Sequence, residues 1–352
     1  MALVTVTIDG QTVQVPEGIT VLEAARSIGI KIPALCYDPD LSMVGACRLC
    51  VVEIDKMRGL PASCITKCTG GMVIQTKTPS VIEARRTILE LLIANHPLNC
   101  LTCEKNGDCL LQQYCYEYNV DSEYFAGEKH SYAIDDSNPF YIRDMNKCIL
   151  CGRCVRVCEE IVGRSILDFA NRGHHAKVGP FMDKQITESD CVYCGSCIAV
   201  CPVGALTERD MIGKGRKWEI NKVKTICPYC GTGCTIDLNV NDGKVIGVTG
   251  NPEGDVNGRF LCVKGRFGYQ FIHSEDRLKT PLVKKDGKFE ETTWDKALQL
   301  VADRLKATKE KYGPDALGVL SSARCTNEEN YLLSKFTRSV LGTNNIDHCA
   351  RL

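Results

Sequence analysis

The chain has 352 residues, 43 basic and 43 acidic, so its formal net charge is zero, and it lacks the basic footprint on which nucleic-acid affinity rests. The outlying quantity is 23 cysteines. The chain opens Met-Ala-Leu-Val-Thr-Val-Thr-Ile, without the basic and then apolar segment of a secretory leader, which argues against a secreted disulfide scaffold. No apolar run approaches the roughly 18 to 20 residues that span a bilayer, so no membrane insertion is expected. The thiols are expected in a reducing cytoplasm, where such density serves metal.

In chain order, Val4–Ile8 alternates as a strand, Asp9-Gly10 signals a tight hairpin and Thr12–Val15 returns. Thr20 and Glu23 form a capping box for a helix over Val21–Ile28, which Gly29 ends. Cys36, Cys47, Cys50 and Cys64 follow as C-x10-C-x2-C-x13-C. Four thiolates behind a hairpin and a helix suit a [2Fe–2S] rhomb, with a four-thiolate zinc site as the alternative. Residues 81–95 read as a helix stopped by Pro97. His96, Cys100, Cys103 and Cys109 then give H-x3-C-x2-C-x5-C: one imidazole beside three thiolates, or, taken alone, a histidine that merely ends a helix.

Residues 137–210 read as short loops around an internal repeat. Cys148, Cys151, Cys154 and Cys158 have the spacing C-x2-C-x2-C-x3-C, and Cys191, Cys194, Cys197 and Cys201 repeat it. In this run three thiolates grip one [4Fe–4S] cube while the fourth reaches the other. The expected sets are therefore Cys148, Cys151, Cys154 with Cys201, and Cys191, Cys194, Cys197 with Cys158. A pair of zinc knuckles is the alternative, but zinc sites favour two paired C-x2-C hooks. The basic, glycine-bearing stretch 209–217 reads as a linker. Cys227, Cys230, Cys234 and Cys262 then form C-x2-C-x3-C-x27-C around a hairpin turning at Asn241-Asp242-Gly243, with a zinc ribbon as the alternative. Beyond 276 a helix over 294–311, a buried strand over 316–321 and a helix over 327–341 begin an α/β layer with too few strands to close a sheet. Cys68, Cys115, Cys325 and Cys349 are assigned no ligand role and default to buried structural thiols.

The C-x10-C-x2-C-x13-C loop resembles that of the large iron–sulfur subunit of respiratory NADH dehydrogenase and of iron-only hydrogenases, families in which the H-x3-C-x2-C-x5-C pattern implies a His-ligated [4Fe–4S] cluster. The Cys-Pro-Tyr-Cys-Gly-Thr-Gly-Cys run resembles the [4Fe–4S] domain opening molybdopterin-guanine-dinucleotide oxidoreductases. There, a lysine in the place of Lys264 passes electrons between cube and pterin; a solvated surface lysine is the plainer reading. The NADH dehydrogenase likeness is expected to hold through the first two sites, and the hydrogenase likeness through the first three. Throughout, the order of motifs resembles the catalytic (alpha) subunit of cytoplasmic NAD(P)-linked formate dehydrogenases, as do the runs from Ser321 to Tyr331 and from Gly342 to Leu352.

The resemblance implies an α+β multidomain iron–sulfur protein. Its parts are a β-grasp [2Fe–2S] domain over 1–80, a His-ligated [4Fe–4S] domain over 81–136, a two-[4Fe–4S] ferredoxin domain over 137–210, a molybdopterin-oxidoreductase [4Fe–4S] domain over 218–275 and the start of a molybdopterin-binding α/β domain over 276–352. It implies one [2Fe–2S] and four [4Fe–4S] clusters, and a Mo- or W-bis(molybdopterin guanine dinucleotide) in the full-length subunit. The metal-ligating Cys or selenocysteine is expected directly after Leu352, with a UGA codon there. The implied function is relay of electrons from formate oxidation, which is reversible, to a flavin- and NAD(P)-binding iron–sulfur partner, with hydrogenase or ferredoxin as further partners. The alternative is a standalone electron-transfer subunit of an NADH dehydrogenase- or hydrogenase-type complex.

Overall fold

The computed structural model of the chain describes residues 2–121, 125 and 127–349. Ala350, Arg351 and Leu352, and with them the end of the run expected to lead to a metal ligand, lie outside the described residues. The chain divides into two compact units, one of residues 1–221 with 239–242, the other of residues 222–238 with 243–352.

The first unit opens with β1 (Leu3–Ile8) and β2 (Gln11–Pro16), antiparallel with Thr7 opposite Thr12. Asp9 and Gly10 take φ of 47° and 82°, the left-handed pair that lets a two-residue turn follow the strands' twist. In α1 (Val21–Ser27) the Thr20 hydroxyl accepts from the Glu23 N–H while the Glu23 carboxylate accepts from the Thr20 N–H. Val21, Leu22, Ala24 and Ala25 bury one face of α1. β3 (Glu53–Ile54) and β4 (Val73–Gln75) complete a mixed sheet of order β2-β1-β4-β3. Ile8, Leu22, Cys64 and Ile74 share its core, so the cysteine loop is built into the fold.

Pro79 opens α2 (Pro79–Ala94), where its missing N–H costs nothing, and Thr78 caps it. Leu89 and Ile93 on α2 pack with Leu111 of α3 (Leu110–Glu117) and with Leu35, Leu49 and Val203. One core thus joins segments bearing three of the cysteine sets. β5 (Tyr141–Arg143) pairs antiparallel with the later β8 (Leu206–Glu208), closing the repeat region. Between them lie α4 (Arg153–Arg156), which widens into a π turn over Val157–Ile161, the hairpin β6 (Asp168–Ala170) and β7 (Lys177–Gly179), and α5 (Ser196–Val200). The region is therefore more regular than loops alone. The stretch expected as a linker is also tied down: the Arg216 guanidinium donates to the Cys103 and Leu101 carbonyls at 2.6 and 2.8 Å.

Further along the chain β9 (Asn221–Ile226), β10 (Thr235–Asn241) and β11 (Lys244–Gly250) form a sheet of order β11-β10-β9. The β10–β11 turn falls at left-handed Asp242 and Gly243, φ 47° and 73°. A short helix α6 (Val263–Phe267) follows Cys262. After the hairpin β12 (Leu282–Lys285) and β13 (Lys288–Glu291) come α7 (Trp294–Tyr312), β14 (Val319–Ser322), α8 (Asn327–Phe336) and β15 (Ile346–Cys349). Two expectations are corrected. The strand starts at Val319 and is not buried, Leu320 being 88% exposed. It is also paired, parallel to β15 with Val319 opposite Ile346. The polar run Asn344–His348 carries no apolar alternation to announce that partner.

Candidate functional site

The four thiols of the first set converge. The Cys36 sulfur accepts from the Cys47 N–H at 3.4 Å. It also takes hydrogen bonds from the Cys47 and Cys64 thiols, which drive its pKa down, and Cys64 does the same to Cys50. As donors, Cys47 and Cys64 are correspondingly pushed up. Cys36, Cys50 and Cys64 are fully buried. So tight a knot of sulfur suits a small, compact metal group.

His96 ends α2 and is 9% exposed. Its Nδ1 lies 2.9 Å from the Pro97 carbonyl, an acceptor only, so Nδ1 carries the ring proton. Nε2 is then a lone pair, and it is buried without a hydrogen-bond partner among the described residues. Burial also lowers the pKa of this ring, keeping it neutral. A neutral imidazole with its tautomer fixed from behind and its other nitrogen unbonded has the form a metal ligand needs. Cys109 lies close enough to Cys103 to feel its charge. Cys115, further along α3, senses Cys109 and Cys100, and burial pushes its thiol up to about 11.

The repeat folds as a repeat. Leu150 and Tyr193, both at φ 53°, occupy equivalent places, followed by left-handed Gly152 and Gly195. In each copy the strained residue's N–H reaches back to the first sulfur, Leu150 to Cys148 and Tyr193 to Cys191, both at 3.4 Å. A φ above zero on bulky residues is unfavourable, and here it aims the peptide at sulfur. The two runs also cross. Burial raises the pKa values of Cys148, to about 11, and of Cys151, to about 12, and both thiols feel Cys201. Cys154 feels Cys148, Cys151 and Cys201 together. Cys197 and Cys191 sense Cys194 and Cys158. The structure thus brings Cys201 to the first run and Cys158 to the second. Burying thiols this deeply disfavours bare thiolates unless metal takes the charge.

The cysteine spacing gives no sign of the polar surroundings of these sulfurs. Tyr141, fully buried on β5, places its hydroxyl 3.7 Å from the Cys191 sulfur. Arg143, 4% exposed, reaches the Val178 carbonyl at 3.0 Å and Asp135 at 2.9 Å, and borders the cavity ringed by Cys148, Cys151, Cys154 and Cys201. Neither residue lies in the cysteine spacing; only the pairing of β5 with β8 brings them in.

In the second unit Cys227, Cys230, Cys234 and Cys262 line a cavity of about 550 Å³ together with Lys264, Ala323, Arg324 and Cys349. Burial raises Cys227 and Cys234, and both also feel the other thiols of the set. Lys264 is exposed and on the cavity wall. Cys68 is buried, as a structural thiol is expected to be, whereas Cys349 is exposed and faces the cavity. Among the described residues no three His, Cys, Asp or Glu side chains are arranged to hold a single metal ion. Cluster ligands stand apart at the corners of a rhomb or cube, so their geometry differs from that around one zinc.

These features define a multidomain iron–sulfur protein. Comparison with known proteins agrees segment by segment. Residues 1–79 match a 2Fe-2S iron-sulfur cluster binding domain and residues 85–123 the NADH-ubiquinone oxidoreductase-G iron-sulfur binding region. Residues 138–207 match the ferredoxin-like domain of NADH-quinone oxidoreductase subunit 3, residues 220–274 the molybdopterin oxidoreductase Fe4S4 domain and residues 277–352 molybdopterin oxidoreductase. The chain is 40% identical over 351 residues to a G-type subunit of NADH-quinone oxidoreductase from Rhizobium meliloti, covering 99% of this chain and 40% of that protein. It is 37% identical over 350 residues to the NADPH-Fe(3+) oxidoreductase subunit alpha of Geobacter sulfurreducens, with 99% and 40% covered. It is 34% identical over 385 residues to a putative formate dehydrogenase of Staphylococcus aureus, with 98% and 39% covered. The crystal structure of an NAD+-reducing [NiFe]-hydrogenase contains a chain 34% identical, with TM-score 0.57, covering 60% of this chain and 90% of that one. The chain belongs with the iron–sulfur proteins similar to the G-type subunit of NADH-quinone oxidoreductase, and its C-terminal part carries a molybdopterin-oxidoreductase Fe–S region. It spans about 40% of the length of the curated relatives it matches. The likeness to that NADH-quinone oxidoreductase subunit runs the whole chain, not only the first two sites as expected from motif order. Among the described residues no helix is long and apolar enough to cross a membrane.

Proposed function

We propose that the chain is the electron-relay portion of a cytoplasmic formate dehydrogenase, interconverting formate and carbon dioxide. The observation that carries this reading is the cavity where the Cys227 set and Lys264 meet Arg324 and Cys349, both from segments whose sequence resembles formate dehydrogenases. In this reading Cys36, Cys47, Cys50 and Cys64 hold a [2Fe–2S] cluster. His96, Cys100, Cys103 and Cys109 hold a [4Fe–4S] cluster, with the Pro97 carbonyl fixing the imidazole. Cys148, Cys151, Cys154 and Cys201 hold a second cube, Cys158, Cys191, Cys194 and Cys197 a third, and Cys227, Cys230, Cys234 and Cys262 a fourth. A molybdenum or tungsten pterin in the complete subunit supplies the two-electron chemistry at formate. This chain's residues receive electrons singly, set potentials and exclude water. Lys264, on the wall of the same cavity as the Cys227 set, would assist electron passage between that site and a pterin bound in the complete subunit. A flavin- and NAD(P)-binding iron–sulfur subunit is the acceptor.

The whole-length similarity to the Rhizobium meliloti NADH-quinone oxidoreductase subunit favours a second reading, relay within an NADH dehydrogenase- or hydrogenase-type complex without formate chemistry. Anaerobic purification of the native complex decides between them. Addition of formate reduces the clusters, read by EPR, if the first reading holds. Reduction by NADH but not by formate sinks it and supports the second.

A further inference from the structure

We infer that Arg156 is a shared positioning charge that ties the potential of the [2Fe–2S] site to that of the neighbouring [4Fe–4S] site. The inference rests on the cluster assignments proposed above and adds a residue that those assignments do not include. Arg156 closes α4 and is 7% exposed. Its Nη2 donates to the Cys36 carbonyl at 2.6 Å and to the Cys151 carbonyl at 3.4 Å. One nitrogen therefore contacts the backbone of a ligand from each site, residues 115 positions apart in the chain. Its Nη1 donates to the Ser42 carbonyl, in the loop between Cys36 and Cys47. Glu160, which senses the Arg156 charge, is committed to Ser42, whose N–H it accepts at 2.8 Å. The adjacent Arg153 is matched by Asp38 at 3.7 Å. Arg156 instead spends its fork on carbonyls.

Two physical effects follow, both of the same sign. An electron added to either site is negative charge brought toward a buried cation, in surroundings that screen poorly. Hydrogen bonds that polarise the ligand backbone also favour the reduced cluster, because net charge and hydrogen bonding set iron–sulfur potentials. The guanidinium therefore raises both potentials together. Lysine can keep the charge but offers no planar fork to hold three carbonyls.

The test is an EPR-monitored redox titration of the anaerobic protein, comparing the unaltered chain with Arg156→Met and Arg156→Lys. In Arg156→Met both midpoint potentials shift downward, and in Arg156→Lys both shift by less. Unchanged potentials with clusters intact, or a shift confined to one site, overturn the proposal. A purely structural Arg156 would change cluster content without moving the potentials of clusters that assemble. Should Arg156→Met lose its clusters, the unaltered protein decides. Reducing the neighbouring [4Fe–4S] site broadens or splits the [2Fe–2S] signal if the sites share this contact, and an unperturbed signal overturns it. Absence of both signals from the unaltered protein sinks the cluster assignments, and the proposal with them.

Discussion

At the scale of single residues, the site is set by groups that make no mark in the cysteine spacing. His96 is the exception, visible in the sequence but undecided there. Its protonated Nδ1 and unbonded Nε2 come only from the turn that places Pro97 against the ring. Replacing His96 by Ala should remove one cube's share of iron and leave the other sites filled. His96→Cys should retain that cube at a lower potential, since a thiolate adds negative charge; anaerobic iron analysis and redox titration check both. Asp135 is a second such residue. Burial alone would raise its pKa, but hydrogen bonds from Ser137 and the Ile186 N–H, with the Arg143 charge, hold it below the usual carboxylate range. A depressed carboxylate contributes stability above its unfolded pKa and loses it as pH falls through the folded value. Asp135→Ala should cost about 1.5 kcal/mol at neutral pH, because it removes charge-assisted hydrogen bonds from Arg143, Ser137 and the Ile186 N–H, discounted for a carboxylate only partly buried. The gap from the unaltered protein should narrow on acidification, as denaturant melts at several pH values would show.

At the scale of elements, local rules placed the hairpin and first helix well. Asp9-Gly10 needs a left-handed turn, and Thr20 with Glu23 satisfies backbone N–H groups that α1 cannot. Thr20→Ala should therefore lower stability by about 1 kcal/mol, measured by chemical denaturation. The loop after Cys201 is different, because its constraint comes from another cysteine set. A Cβ on Gly204 would sit 2.6 Å from the Cys103 sulfur. Gly204→Ala should displace Cys103, weakening or removing the His96-type cluster while the crossed pair in the repeat survives. EPR of the reduced variant distinguishes the signals. The β14–β15 pairing and the anchoring of Arg216 were illegible for a common reason. Each depends on contacts between segments far apart in sequence, and neither repeats at the period of a helix or strand.

At the scale of the whole molecule, cysteine sulfurs take part in the cores themselves. Cys50, Cys64 and Cys68 lie in the core of the N-terminal sheet, and Cys148, Cys154, Cys191 and Cys197 pack around Leu167, Val178 and Ile186. A protein whose core includes metal ligands couples folding to metal. The anaerobic protein should hold about 18 iron atoms if every proposed site fills, and iron chelation should lower its melting temperature. A low iron count with stoichiometric zinc would refute the cluster assignments. By itself the sequence determined the cysteine spacing with its internal repeat and the first hairpin and helix, because spacing, turn residues and caps act within a few positions of the chain. Only the tertiary structure decided that Arg156 reaches the carbonyls of both Cys36 and Cys151, that Tyr141 and Arg143 border the repeat's sulfurs, and that Lys264 and Cys349 face one cavity. Those contacts depend on the packing of segments remote in sequence, where side chains with no positional signature of their own meet the sulfurs.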